Sequence, residues 1–375
     1  MKPVSKISWF ILLLGILTIS AQDKPDSSQA LLKQEILKTR KTRINAYPYV
    51  YYTPETELAF GVGGIITFYT SEYLLLRPSK VTLSGYYSTK SQYKISLAPQ
   101  VYLARNNLFL SANLDYGYYV DKFWGVGNAT PDIEDEDYIS SGWGIELNLQ
   151  APPLLKFLGR TKAGWVYDYL NSTIEDKKNN PYLLDGQTTG SEGGISSGMG
   201  LISVWDNRDH IFYPGRGMYH QVKIIFYQKA FGGSFNFNRF EIDLRYYQAI
   251  QKENVLALQV FVSLVRGNPP FYELSALGGP RIMRGYYQGR YRDKNYLAGQ
   301  AEYRRHLWRR FGFVAFAGLG DVETEMQDFR MVSAKFSWGF GLRFLFNQAE
   351  KVNLRADFGF GRNTSGVYFG VEESF

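Results

Sequence analysis

Long segments of this chain alternate strictly, with large apolar residues on one parity and charged or small residues on the other. Phe336, Trp338, Phe340, Leu342, Phe344 and Phe346 occupy one parity, against Lys335, Ser337, Gly339, Gly341 and Arg343. Val352, Leu354, Ala356, Phe358 and Phe360 alternate with Asn353, Arg355, Asp357 and Gly359. Phe240, Ile242, Leu244 and Tyr246 alternate with Arg239, Glu241, Asp243 and Arg245. Successive side chains of a strand point to opposite faces, so each segment has one apolar and one charged face. A soluble β-sandwich also alternates, but not normally with strands this long or this aromatic. Lipid outside and a wet lumen inside fit both faces.

Sixteen strands are predicted, at about 45–53, 57–70, 79–90, 92–104, 107–120, 137–150, 161–172, 193–206, 217–230, 236–249, 253–267, 295–308, 311–321, 331–345, 350–360 and 366–375. An even number suits closure, and most segments exceed the roughly 9–11 residues that a tilted membrane strand needs. The expected fold is all-β: a 16-stranded antiparallel transmembrane β-barrel with a short N-terminal extension. With the N-terminus in the periplasm, the long connections 121–136, 173–192, 268–294 and 322–330 face outward. Connections such as 104–107 and 250–253 are tight inner turns. The inner connection 206–216 is longer than this asymmetry predicts.

The N-terminus carries an export signal. Lys2 and Lys6 precede the apolar run Ile7 to Ile19, and Ser20-Ala21 offers a cleavage site, so residues 1–21 read as a signal peptide. Residues 22–44 read as a solvated linker or short helix, and 45–375 as the barrel. With 29 Tyr, 26 Phe, 7 Trp and 37 Gly, the chain has the aromatic rings of lipid interfaces and the glycines of bending strands. No Cys is present, so disulfides do not hold this exported protein together. The net charge of +7 suits anionic headgroups, and export argues against a nucleic-acid partner.

Two connections carry concentrated chemistry. The outer loop contains Leu277-Gly278-Gly279-Pro280-Arg281-Ile282-Met283-Arg284-Gly285-Tyr286-Tyr287. An Arg buried there needs carboxylate partners, because an unpaired buried charge costs several kcal/mol, about 3–5 when a pair is broken. The inner connection reads Trp205-Asp206-Asn207-Arg208-Asp209-His210-Ile211-Phe212-Tyr213-Pro214-Gly215-Arg216-Gly217, a charged turn ended by Pro-Gly.

These stretches resemble motifs of the BamA/TamA family of outer-membrane assembly and transport barrels, the bacterial surface antigen type. Arg284-Gly285-Tyr286 is similar to the family's Val-Arg-Gly-Phe/Tyr loop motif. Asp206, Arg208, Asp209, Pro214 and Gly217 match its Asp-x-Arg-Asp…Pro-x-x-Gly element. Pro48 to Thr56 followed by Phe60-Gly61 looks like its first hairpin, and Ala301-Glu302-Tyr303-Arg304 like the strand after the loop. Phe375 matches the C-terminal aromatic read by assembly machinery. The resemblance implies a loop lock of Arg284, Gly285, Tyr286 and Glu302. It also implies a weak seam between first and last strands, which Gly366 and Gly370 would loosen. Two departures stand out. About 23 residues before the barrel leave no room for a POTRA domain. Where the family has Phe-x-Asp-x-Gly, this chain has Phe316-Ala317-Gly318-Leu319-Gly320-Asp321. Glu302 is then the expected partner of Arg284, because Asp321 is one residue out of phase and a one-residue offset reverses the face.

Enzyme signatures are poor. His210, His220 and His306 lie on separate elements without metal-binding spacing, and no Gly-x-Ser-x-Gly elbow is present. Gly61-Val62-Gly63-Gly64 lies within a strand and lacks the Lys-Ser/Thr of a phosphate loop. The acidic stretch Asp132 to Asp137 reads as a solvated outer loop, able to bridge to lipopolysaccharide through divalent ions. No cofactor, metal or catalytic residue is expected. The resemblance implies a protein of the bacterial cell outer membrane that assists insertion or translocation of protein or lipid. A passive pore or structural barrel is the alternative. The partners implied are outer-membrane lipids and lipopolysaccharide, client proteins or lipids, and an accessory periplasmic protein.

Overall fold

The computed structural model describes residues 42–152, 161–251, 254–347 and 351–375. The signal peptide and most of the expected linker lie outside the described residues. The strands are β1 (Arg43–Thr53), β2 (Glu57–Phe68), β3 (Ser79–Ser88), β4 (Tyr93–Leu103), β5 (Leu108–Lys122), β6 (Asp137–Ala151), β7 (Thr161–Asp176), β8 (Gly193–Asp206) and β9 (Gly217–Tyr227). They continue as β10 (Phe237–Gln251), β11 (Asn254–Gly267), β12 (Ser275–Leu277), β13 (Tyr291–Asp293), β14 (Asn295–Trp308), β15 (Phe311–Glu323), β16 (Lys335–Asn347), β17 (Val352–Gly361) and β18 (Thr364–Val371).

Sixteen of these form one antiparallel sheet in chain order, and β12 pairs only with β13. The expected strand count therefore holds. Two differences concern the ends. β1 begins at Arg43, two residues inside the segment expected as linker, and β18 stops at Val371 rather than running to Phe375. The β12–β13 ribbon within the long outer loop is invisible to a period-two reading, because three residues per strand are too few to establish a parity.

The parity sets the wall. Trp338, Phe340 and Leu342 face outward, while Ser337, Arg343 and Asp357 are buried on the lumenal side. In β2, the glycines make room for lumenal tyrosines. A Cβ at Gly61 would run into the Tyr49 ring, and Tyr49 Oη donates to Gly85 O at 3.2 Å. Gly61 and Gly63 thus serve close packing.

β18 lies beside β1, with Pro54 against the backbone at Gly366, but no ladder joins these two strands. The glycines expected to loosen this seam have a lumenal explanation. Gly366 leaves space for Tyr368 Oη, and Gly370 for the Arg355 guanidinium.

Candidate functional site: an outer loop latched across the lumen

Residues 268–294 fold into the barrel. Gly278 and Gly279 turn the chain at φ of 104° and 108° after β12, and residues 280–287 descend to the wall formed by β14 to β18. There Gly285 lies directly on β17. A Cβ at Gly285 would come 2.6 Å from the Phe360 backbone, and one at Gly359 would come 2.6 Å from the Arg284 carbonyl carbon. The φ of Gly285, 109°, excludes other residues independently. Tyr368 Oη accepts from Gly285 N at 2.9 Å and donates to Tyr286 O at 3.3 Å. Tyr286 Oη donates to Phe336 O at 3.0 Å and accepts from Arg362 N at 2.9 Å.

This backbone docking aims Arg284 into a closed site. Its side chain is fully buried, with Nη2 2.6 Å from Glu302 Oε2 and Nη1 2.6 Å from Asp357 Oδ2. The guanidinium lies 3.5 Å from the Phe316 ring centre, a cation–π contact. Both carboxylates have further partners. Glu302 Oε1 accepts from Arg304 Nε at 2.7 Å. Asp357 accepts from Arg343 Nη1 at 2.5 Å and Arg355 Nη1 at 3.0 Å. Arg355 also reaches back to the loop, donating to Pro280 O at 2.9 Å. Charge-assisted bonds of this length are the strong class.

Asp357 is the residue that sequence reasoning missed. Its lumenal parity was legible, but which lumenal charge meets the loop depends on strand order and stagger. Gly318 does not leave a gap awaiting an acid. Met283 Sδ, Ser337 Oγ and Gln300 Cβ stand 3.2, 3.2 and 3.3 Å from where its Cβ would be. Asp321 is engaged elsewhere, accepting from Ser333 Oγ at 2.7 Å.

The residues after β18 extend the same cluster, correcting the expectation that Phe375 ends a membrane strand. Glu372 takes a φ of 69° and turns the chain inward. Glu373 Oε2 lies 2.7 Å from Arg343 Nε, and Oε1 accepts from Asn353 Nδ2 at 2.7 Å. Ser374 Oγ donates to Glu302 Oε2 at 3.0 Å, and Arg304 Nη2 donates to Phe375 O at 2.9 Å. The Phe375 ring is buried with Tyr247 of β10 and Val255 and Ala257 of β11. The carboxylate of Glu373 finds two lumenal arginines, which lipid could not supply.

Other contacts pin the loop from the remaining sides. Arg239 binds Glu273 through its carboxylate at 2.5 Å and its carbonyl at 2.6 Å. Tyr287 Oη donates to Asp121 Oδ1 at 3.1 Å, and Gln288 N to Glu55 Oε1 at 2.8 Å. Burial raises the Glu55 carboxyl above its ordinary range, a shift that the Gln288 N–H opposes. Arg290 binds Asp132 at 2.7 Å, and Lys122 binds Glu136 at 2.6 Å, so part of the acidic outer stretch holds basic side chains.

The inner turn motif is built as a rigid hook. Arg208 holds Asp206 through two bonds of 3.0 Å. Asp209 Oδ1 accepts from Gly215 N at 2.8 Å, and Pro214 is buried. Gly217, at φ 108°, passes within 2.7 Å of Asn207 O at its Cβ position. His210 Nδ1 accepts from both Phe212 N and Tyr213 N at 3.2 Å. The Phe212 ring sits 5.1 Å from Lys80 Nζ on β3. Burial pushes the Tyr213 phenol up, and the nearby Glu373 carboxylate adds to the rise. The motif thus lies across the mouth at the short-turn end, between β3 and the Glu373 cluster.

A sixteen-stranded barrel with an arginine-tipped outer loop latched inside it defines a class of outer-membrane barrel. The chain belongs to the Omp85 superfamily, whose domain matches residues 69–375. Among solved structures it is similar to BamA from Haemophilus ducreyi lacking POTRA domains 1–3, with a TM-score of 0.60 and 11% identity, over 92% of this chain and 78% of that one. It is similar to CdiB from Acinetobacter baumannii, with a TM-score of 0.55 and 12% identity, over 90% of this chain and 66% of that one. CdiB from Escherichia coli matches with a TM-score of 0.56 and 13% identity, over 91% and 70%. At these identities the likeness is one of fold. A comparison with curated protein sequences found no match. Fold and family imply the outer membrane.

Proposed function

We propose that this chain assists insertion or translocation of protein or lipid at the bacterial outer membrane, by a mechanism without a bond-making step. The observation that carries this reading is the seam. Every other neighbouring pair of barrel strands shares a ladder, whereas β1 and β18 share none. Unpaired strand edges are costly in hydrocarbon, so this is where the wall opens at least cost. An edge exposed there is also a template for another strand. The latched loop supports the same reading, since it occupies the lumen that a passive pore would leave clear. Omp85 membership adds client and accessory proteins as expected partners, with lipopolysaccharide and phospholipid around the wall.

The test links the seam. A disulfide between cysteines at Val50 on β1 and Phe369 on β18, both outward-facing, joins the two edges in a chain otherwise free of thiols. The assay is the folding rate of a small reference barrel into proteoliposomes that contain this protein. The oxidised form should lose its acceleration, and reduction should restore it. Acceleration that is equal with the seam closed sinks the mechanism. No acceleration together with steady single-channel conductance in planar bilayers would instead identify a passive pore or structural barrel.

A further inference from the structure

The end of β14, the two-residue turn after it and the start of β15 read Arg304-Arg305-His306-Leu307-Trp308-Arg309-Arg310-Phe311. This segment lies at the short-turn end of the barrel. Arg304 is lumenal and belongs to the latch cluster, but Arg305, Arg309 and Arg310 are exposed. Phe311 and Phe344 are cross-strand partners with ring centres 5.3 Å apart, on the lipid-facing parity. Trp308 stacks on Phe311 at 6.3 Å and 8°, and the Arg309 guanidinium sits 4.4 Å from the Trp308 ring. Between them opens a cleft of about 620 Å³, lined by Trp308, Arg309, Arg310, Phe311 and Phe344.

The two halves of this cleft ask for different surroundings. Trp308 and Phe311 are 58% and 48% exposed, an apolar face that favours acyl chains over water. Tryptophan concentrates at the headgroup level of membranes. Guanidinium groups bind phosphate oxygens in paired, directional bonds. An amphiphile with a phosphodiester at its polar–apolar boundary satisfies both halves at once.

We propose that this cleft binds an anionic glycerophospholipid, with its phosphodiester on Arg309 and Arg310 and the adjoining acyl chain on Trp308, Phe311 and Phe344. The assignment rests on the barrel spanning a membrane, and not on the assembly role proposed above. Its charge commits it to the lipid and not to a neutral zwitterion.

Native mass spectrometry of the full-length barrel, released from mixed phosphatidylglycerol–phosphatidylcholine micelles, reads the preference directly. Each surface arginine contributes roughly a fivefold preference for an anionic lipid. Arg309→Gln with Arg310→Gln should therefore cut retained phosphatidylglycerol, relative to phosphatidylcholine, about twenty-five-fold on that scale. Arg330→Gln, an exposed arginine in the outer β15–β16 connection, should leave the ratio within about twofold, since the field decays within a Debye length. A second readout needs no arginine variant. Brominated phosphatidylglycerol should quench Trp308 fluorescence, taken as the difference between wild type and Trp308→Phe, more than brominated phosphatidylcholine does. An unchanged ratio in the folded double variant, or equal quenching by both lipids, overturns the proposal. So does a homodimer in detergent that the same double variant abolishes, because the occupant would then be a second copy.

Discussion

Removing Arg284 should loosen the whole latch, and the structure sets the size of the effect. The side chain is fully buried between Glu302 and Asp357, which are fully buried too. Breaking one buried ion pair typically costs about 3–5 kcal/mol. Arg284→Ala breaks two, but neither carboxylate is left alone, since Arg304 still holds Glu302 and Arg343 and Arg355 still hold Asp357. That compensation argues for the lower end, about 3 kcal/mol. The lost contact with Phe316 adds on the order of 2 kcal/mol, as for a desolvated cation–π pair. Glu302→Ala should be comparably harmful, because Arg284 and Arg304 each lose a carboxylate at 2.6–2.7 Å, leaving Arg284 with Asp357, and Arg304 with the Phe375 carbonyl and Glu373 at 3.9 Å. The double variant should be less impaired than the sum of the singles, by about 1–3 kcal/mol. The assay is the urea midpoint of tryptophan fluorescence for the barrel in lipid vesicles, with heat-modifiable migration confirming that each variant folds. Arg281→Ala is the control, since that side chain is exposed and only its carbonyl is used, by Gln300. Additive losses from Arg284→Ala and Glu302→Ala would refute the pairing as an energetic unit. A released loop should also raise single-channel conductance, and a silent channel in Arg284→Ala would show that the plug does not depend on the latch.

Gly285→Ala should undock the loop without altering any charge, seen as faster protease cleavage within 278–290, because its Cβ has no room against the Phe360 backbone. Leu342→Arg should cost about 2–4 kcal/mol in vesicle folding if it sits at mid-bilayer. Gly341→Asp, which parity alone marks as a benign lumenal change, should also be costly, because its side chain would collide with Asp357 and Arg343; a neutral result would refute that packing. Single cysteines at Asp135 or Lys178 should react with an impermeant maleimide on intact cells, and labelling only after permeabilisation would reverse the orientation. Because the folded state holds the Glu55 proton more tightly than the unfolded chain, stability falls as pH rises from the ordinary carboxylate range through the raised folded value; Glu55→Gln should flatten that slope in pH-dependent urea titrations.

The barrel itself was legible in the sequence because a strand's two faces are written at a period of two. Phe336 to Phe346 and Val352 to Phe360 state which side meets lipid, and long connections at one end against short turns at the other gave the expected orientation. Arg284, Gly285 and Glu302 were legible through short motifs whose chemistry is local. Periodicity, however, names a face and not a neighbour. Asp357 meets Arg284 from 73 positions away, and only strand order and stagger bring them together. The inward turn at Glu372 depends on Arg343 and Arg304 waiting in the lumen for Glu373. Gly318 is small because Met283 of the loop fills the space above it. Each of these is a contact made inside a wall that has curled round. The chain writes the wall residue by residue, whereas the partners that face each other across the lumen exist only once the sheet has curled round.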